Sequence, residues 1–198
     1  MAQDALIIFI KNPEKGKVKT RLAKDVGDGR ALRIYRALLA HTREVALALP
    51  VTRHLFYGQY IANDDGWTTT DFEKHLQVEG GLGARMEAAF AKTLARHPKA
   101  IIIGSDCASL TPGIVEGAFQ ALDKADVVIG PAMDGGYYLL GMKKLIPELF
   151  RDMTWSTENV FRETIRRLRQ GNHTYQVAEE LSDIDYAADW EKYGWELD

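Results

Sequence analysis

The chain has 198 residues, 46% of them hydrophobic, enough for one sizeable core and a single domain over residues 1–198. Its 25 basic and 28 acidic side chains leave a net charge of −3, which argues against a general nucleic-acid binder, whose surface is basic throughout. No segment approaches the roughly 20 apolar residues of a membrane span. The start MAQDALIIFIKN has neither the basic lead nor the long apolar run of a signal peptide, and Cys107 is the only cysteine. A chain without an internal disulfide fits a reducing cytoplasm.

In chain order, Ala5 to Ile10 is an unbroken apolar run and reads as a buried strand. The segment Lys11 to Leu22 (KNPEKGKVKTRL) reads as a basic loop. From Leu32, apolar residues at Tyr35, Leu38, Leu39, Val45, Ala46 and Leu49 have the spacing of an amphipathic helix. Val51 to Tyr57 predicts a strand, 64–70 a loop, and Leu82 to Arg96 a helix. Ala100 to Gly104 is another buried strand. Thr111-Pro112 starts a helix, with threonine as N-cap and proline at the first helical position. Asp126 to Gly130 and Tyr137 to Met142 predict strands, and 157–169 a helix capped by Ser156 or Thr157. Tyr175 to Ala178 is a last short strand. Strands alternating with helices predict a mostly parallel sheet covered on both faces, a three-layer α/β/α sandwich. Ligands of such sheets bind beyond the carboxyl ends of the strands.

Several unusual segments fall at those ends. The first loop carries Lys11, Lys15, Lys17, Lys19 and Arg21 around a turn at Gly16, a set suited to a polyphosphate. It is no Walker A loop, because Val18 stands where serine or threonine is required, and no GxGxxG follows the strand. Lys19 and Arg21 are expected to face solvent before a ligand arrives. Asp106 ends the strand AIIIG-SD, well placed to hold a hard cation such as Mg²⁺ or Mn²⁺ together with substrate phosphates. Asp134-Gly135-Gly136 offers a close backbone approach or a tight turn. Gly80 to Arg85, with Gly83, opens a helix whose amides, together with Arg85, attract anions. Cys107 reads as a small buried hydrophobe, and His41, His54, His75, His97 and His173 have no metal-ligand spacing, so zinc is not expected.

Taken together, KxPxxGxVKTRL, GxLGxRM, IGSDC, GPAxDGGYYLLG and a terminal DID-plus-acid segment, in that order, cover essentially the whole chain. This set resembles the bacterial proteins described as glycosyltransferase-A-like or nucleotide-diphospho-sugar transferase-like. It is similar, more distantly, to phospholactate guanylyltransferases and molybdenum-cofactor nucleotidyltransferases. The resemblance implies a nucleotide-diphospho-sugar transferase-like fold, with phosphates held by Lys19 and Arg21, helped by Lys15. It implies a divalent metal on Asp106 and a second metal carboxylate from a late Asp-Thr-Pro-Glu-Asp segment. Here that segment reads Asp185-Tyr186-Ala187-Ala188-Asp189, and Asp185 is the best match.

The expectation is therefore a metal-dependent transferase acting on an activated nucleotide. Nucleotidyl transfer from a nucleoside triphosphate to a small phosphorylated acceptor is preferred, because a cation-rich first loop suits a departing pyrophosphate. Glycosyl transfer from a nucleotide sugar is the alternative, and a nucleotide-binding module without catalysis is a third. A homodimer is left open; nucleic acid and membrane are not expected partners.

Overall fold

The computed structural model describes residues 3–197. Its centre is a seven-stranded sheet of order β3-β2-β1-β4-β6-β5-β7. The strands are β1 (Ala5–Ile10), β2 (Thr52–Tyr57), β3 (Glu73–Leu76), β4 (Ala100–Ile103), β5 (Val127–Pro131), β6 (Tyr137–Met142) and β7 (Tyr175–Val177). The helices are α1 (Thr20–Val26), α2 (Asp28–Leu47), α3 (Leu82–Leu94), α4 (Pro112–Lys124), α5 (Val160–Gln170) and α6 (Ala187–Tyr193), with a 3-10 turn at Pro147–Leu149. Among the described residues no helix is long and apolar enough to cross a membrane.

Alternation along the strands sends side chains to two cores. Leu6, Ile8 and Ile10 of β1 pack with Leu39, Val45, Val115, Phe119 and Leu122 from α2 and α4. Ile7, on the opposite face, packs with Met86, Phe90 and Leu168 from α3 and α5. That is why ALIIFI is apolar at every position. Thr111 caps α4 as expected, its Oγ1 accepting from the Ile114 amide at 3.3 Å.

Four features depart from the expectations. The basic loop is not loop to its end: Thr20 starts α1, and Leu22 is buried with Ile34, Ile184 and Trp190. Seven residues are too few for a readable period. The sheet gains an unforeseen edge strand, β3, whose sequence EKHL is polar and pairs only with β2. β6 runs antiparallel to both neighbours, β4 and β5. Ser156 and Thr157 do not cap α5, which begins at Val160; Ser156 takes a left-handed φ of 61°, and Thr157 donates to the Thr154 carbonyl at 3.0 Å.

Candidate active site at the carboxyl edge of the sheet

β1, β2, β3 and β4 run parallel, so Ile10, Tyr57 and Leu76 end in register and β4 ends beside them. The segment after β7 returns to this edge: the Leu181 amide bonds the Pro131 carbonyl at 3.1 Å, and the Ile184 amide bonds the Asp106 carbonyl at 2.9 Å. Chain entering from β1, β4, β5 and β7 therefore converges on one place.

The first loop is pinned from below. The Tyr35 hydroxyl accepts from the Lys11 amide at 2.9 Å, donates to the Lys11 carbonyl at 3.0 Å and lies 3.3 Å from Ser105 Oγ. Asn12, 3% exposed, donates to the Tyr60 carbonyl and accepts from the Gln59 and Tyr60 amides. Its cations then have different fates. Lys15 and Gly16 are exposed, with Gly16 at a φ of 76° that favours glycine. Lys17 is paired with Glu14 at 2.6 Å.

Lys19 contradicts the expectation that it faces solvent. Its side chain is only 5% exposed, and Nζ lies 2.9 Å from Asp106 Oδ1 and 3.7 Å from Asp185 Oδ1 while donating to the Ile184 carbonyl at 2.7 Å. The reason is the backbone. Lys19 caps α1 in a left-handed conformation (φ 49°), and the chain at this point lies against the terminal segment rather than away from it. Arg21 does face outward, 58% exposed, while pairing with Asp185 Oδ2 at 2.9 Å.

The family resemblance singles out Asp185 in the DID segment, but the structure brings Asp183 into the same cluster. Burial, reinforced by the charges of Asp106 and Asp134, pushes the Asp183 carboxyl up to about 7, with Lys19 opposing that shift. Carboxylates thus outnumber the one buried lysine among them, an arrangement that could hold a divalent cation. Nothing in the DID segment itself separates the two aspartates, which flank Ile184 alike; the structure buries Ile184 fully between them.

Asp134 lies in the β5–β6 connection, where its Oδ1 accepts from the Gly136 amide at 2.8 Å. Gly135 sits at a φ of 87°, and any Cβ there would strike the Glu158 carbonyl. Gly135 therefore serves the turn. Gly83, expected to help bind phosphate, is instead buried where α3 meets Phe150 and Trp155; a Cβ would lie 2.6 Å from Trp155 Nε1. Arg85 is half-buried and spends hydrogen bonds on its own loop, to the Gly80 carbonyl (2.9 Å) and Gln77 Oε1 (3.4 Å). Gln77 in turn donates to the Phe56 and Ile10 carbonyls, which ties this segment to the edge where the basic loop begins. Cys107 is buried, and its thiol is pushed up to about 12 by desolvation, so it stays protonated.

The histidines behave otherwise than their spacing suggested. His54, His75 and His97 meet at the opposite, amino-terminal edge of the strands, together with Glu73.

The sequence model of the family described as "Uncharacterized protein conserved in bacteria (DUF2064)" matches residues 38–157, more than half of the chain. The chain belongs to this family. No curated protein matches it. Among solved structures, it is similar to a protein from Desulfovibrio desulfuricans G20 provisionally described as a nucleotide-diphospho-sugar transferase. The two are 29% identical over 94% of this chain and 84% of that one, with a TM-score of 0.87. The inositol-1-phosphate CTP transferase of T. maritima shares the fold at 13% identity, covering 96% and 92% of the two chains with a TM-score of 0.64. Rv0371C of Mycobacterium tuberculosis H37Rv, solved in complex with manganese, does so at 15% identity, 97% of each chain and a TM-score of 0.58. The fold is accordingly that of the nucleotide-diphospho-sugar transferases, as the motifs implied.

Proposed function

We propose that this DUF2064 family member is a metal-dependent transferase acting on an activated nucleotide, by nucleotidyl transfer from a nucleoside triphosphate to a small phosphorylated acceptor. The observation that carries the proposal is Lys19, held between Asp106 and Asp185 beside the half-buried Asp183. Fixed cations and a crowded set of carboxylates on one sheet edge suit a substrate that arrives as a phosphate–metal complex. Transferases among the structures of like fold support the reading.

Asp106 and Asp183 are the residues best suited to hold Mg²⁺ or Mn²⁺, with Asp185 engaged by Arg21. When bound, the ion would neutralise charge on the phosphates being separated. Lys19 then has a second role. Its ammonium occupies the carboxylate cluster in the free protein and would be free to turn toward phosphate were an ion held by Asp106. Exposed Arg21 takes the outer phosphate oxygens with its planar fork. An ionised oxygen of the acceptor's phosphate attacks the α-phosphorus, forming one P–O bond as the α–β bond breaks. Pyrophosphate leaves with the bonding pair, and no protein side chain need take a proton. Positioning and preset charge supply the acceleration.

The test is a ladder of ligands read by thermal shift with Mg²⁺ or Mn²⁺. Stabilisation should rise from nucleoside monophosphate through diphosphate to triphosphate, and Asp183→Asn should lose the metal-dependent part. The provisional description of the 29% identical D. desulfuricans protein favours a second reading, glycosyl transfer. In that case the diphosphate and its sugar conjugate would bind at least as well as the triphosphate. No response to any nucleotide with metal sinks both.

A further inference from the structure

We propose that His54, Glu73 and His75 form a binding site for a nitrogen-seeking transition-metal ion, Zn²⁺ above all, at the end of the sheet away from the nucleotide edge. β2 and β3 pair so that His54 lies opposite Glu73 and Phe56 opposite His75. His54, Glu73 and His75 can each offer a ligand atom, all within 4.8 Å of one another. His54 Nδ1 lies 3.0 Å from His75 Nε2 and 3.5 Å from Glu73 Oε2. Ligand atoms around a tetrahedral zinc, at about 2.0–2.1 Å from the ion, stand about 3.3 Å apart. The two separations bracket that edge.

The outer contacts aim the ligands. The Gln3 carbonyl can only accept, so His97 Nδ1, 2.7 Å away, carries the proton. His97 Nε2 is then an acceptor, and the donor facing it at 3.1 Å is His54 Nε2. His54 is thereby held as the Nε2–H tautomer, its Nδ1 lone pair turned toward Glu73 and His75. A ligating histidine is normally fixed in this way, through its other ring nitrogen. Arg96 holds the Glu73 carboxylate from outside at 3.0 and 3.3 Å, as ligating carboxylates are commonly held. His54 is 1% exposed, whereas the Glu73 side chain is 40% exposed, so an ion has a route in from solvent.

Lys92 opposes binding. Its Nζ donates to His75 Nδ1 at 3.0 Å, which leaves the His75 proton on Nε2, facing His54. Metal entry moves that proton to Nδ1 while the exposed Lys92 side chain swings away. No net proton is released. The ion would fasten β3, a short edge strand paired on one side only, to β2.

The experiment is a calorimetric titration of metal-free protein with Zn²⁺ in millimolar Mg²⁺, which competes for the oxygen-rich nucleotide edge. Co²⁺ serves as the optical probe. One equivalent of Zn²⁺ should bind with micromolar affinity or tighter, and Co²⁺ should give the intense visible bands of a four-coordinate site. His75→Asn and Glu73→Gln should each weaken binding at least about tenfold. Lys92→Gln should tighten it, and His173→Asn, outside the cluster, should change nothing. Absence of saturable Zn²⁺ binding, a six-coordinate Co²⁺ spectrum, or full affinity in His75→Asn would overturn the proposal. The Co²⁺ spectrum of the unaltered chain decides independently of any variant's folding.

Discussion

Replacing Lys19 with methionine separates its charge from its shape. Methionine has a similar length and meets the same backbone strain at a φ of 49°, so the difference between the two proteins reports the ammonium. In the free protein that ammonium donates at 2.9 Å to Asp106 and 2.7 Å to the Ile184 carbonyl, with Asp185 at 3.7 Å. Hydrogen bonds to charged groups contribute about 1.5–3 kcal/mol each when desolvated. Asp106 is 48% exposed, so solvent screening reduces its share. A net loss of roughly 1–2 kcal/mol is expected, which lowers the melting temperature of a chain this size by about 2–8 °C. The informative measurement is the response to metal. Under the proposed function, a divalent cation displaces Lys19 from Asp106 in the wild type, whereas in Lys19→Met it would meet uncompensated carboxylates. Calorimetric melts with and without Mn²⁺ should therefore show a larger metal-induced rise in the variant than in the wild type. The reasoning fails if the variant melts with the wild type in the absence of metal, or if Mn²⁺ stabilises it less.

Arg21→Ala, by contrast, should leave the melting temperature nearly unchanged, because the side chain is largely exposed, yet weaken triphosphate binding about tenfold or more; equal affinity in the variant would remove Arg21 from the phosphate site. Burial holds His54 down at about 4, against an ordinary value of 6.5. A depressed base is protonated more readily when unfolded, so metal-free protein should lose stability as pH falls from about 6.5 toward 4, by up to about 3 kcal/mol. Denaturant melts across that range check this, and an unchanged midpoint would refute it. Cys107, raised to about 12, should resist thiol reagents at pH 8 in the native state and react once denaturant is added; rapid native labelling would contradict its burial.

The sequence by itself determined the strands that are buried on both faces, because an unbroken run such as ALIIFI or AIII can be satisfied only inside a covered sheet. It also determined the Thr111-Pro112 helix start, a purely local matter of capping, and the concentration of basic residues after β1. The direction of β6 lay beyond it, since YYLLGM is apolar on both faces whichever way it runs. So did the burial of Lys19, which depends on where α1 leaves the sheet and on a segment some 165 residues later in the chain. Asp183 and Asp185 look alike in DID; only burial, reinforced by the nearness of Asp106 and Asp134, makes Asp183 the carboxyl raised to about 7. The histidines show the limit of spacing most directly. His54 and His75 are 21 positions apart, too far for a short ligand motif to mark them in the sequence. A parallel register between β2 and β3 sets their nitrogens 3.0 Å apart, because neighbouring strands bring side chains together by hydrogen-bonded alignment and not by distance along the chain.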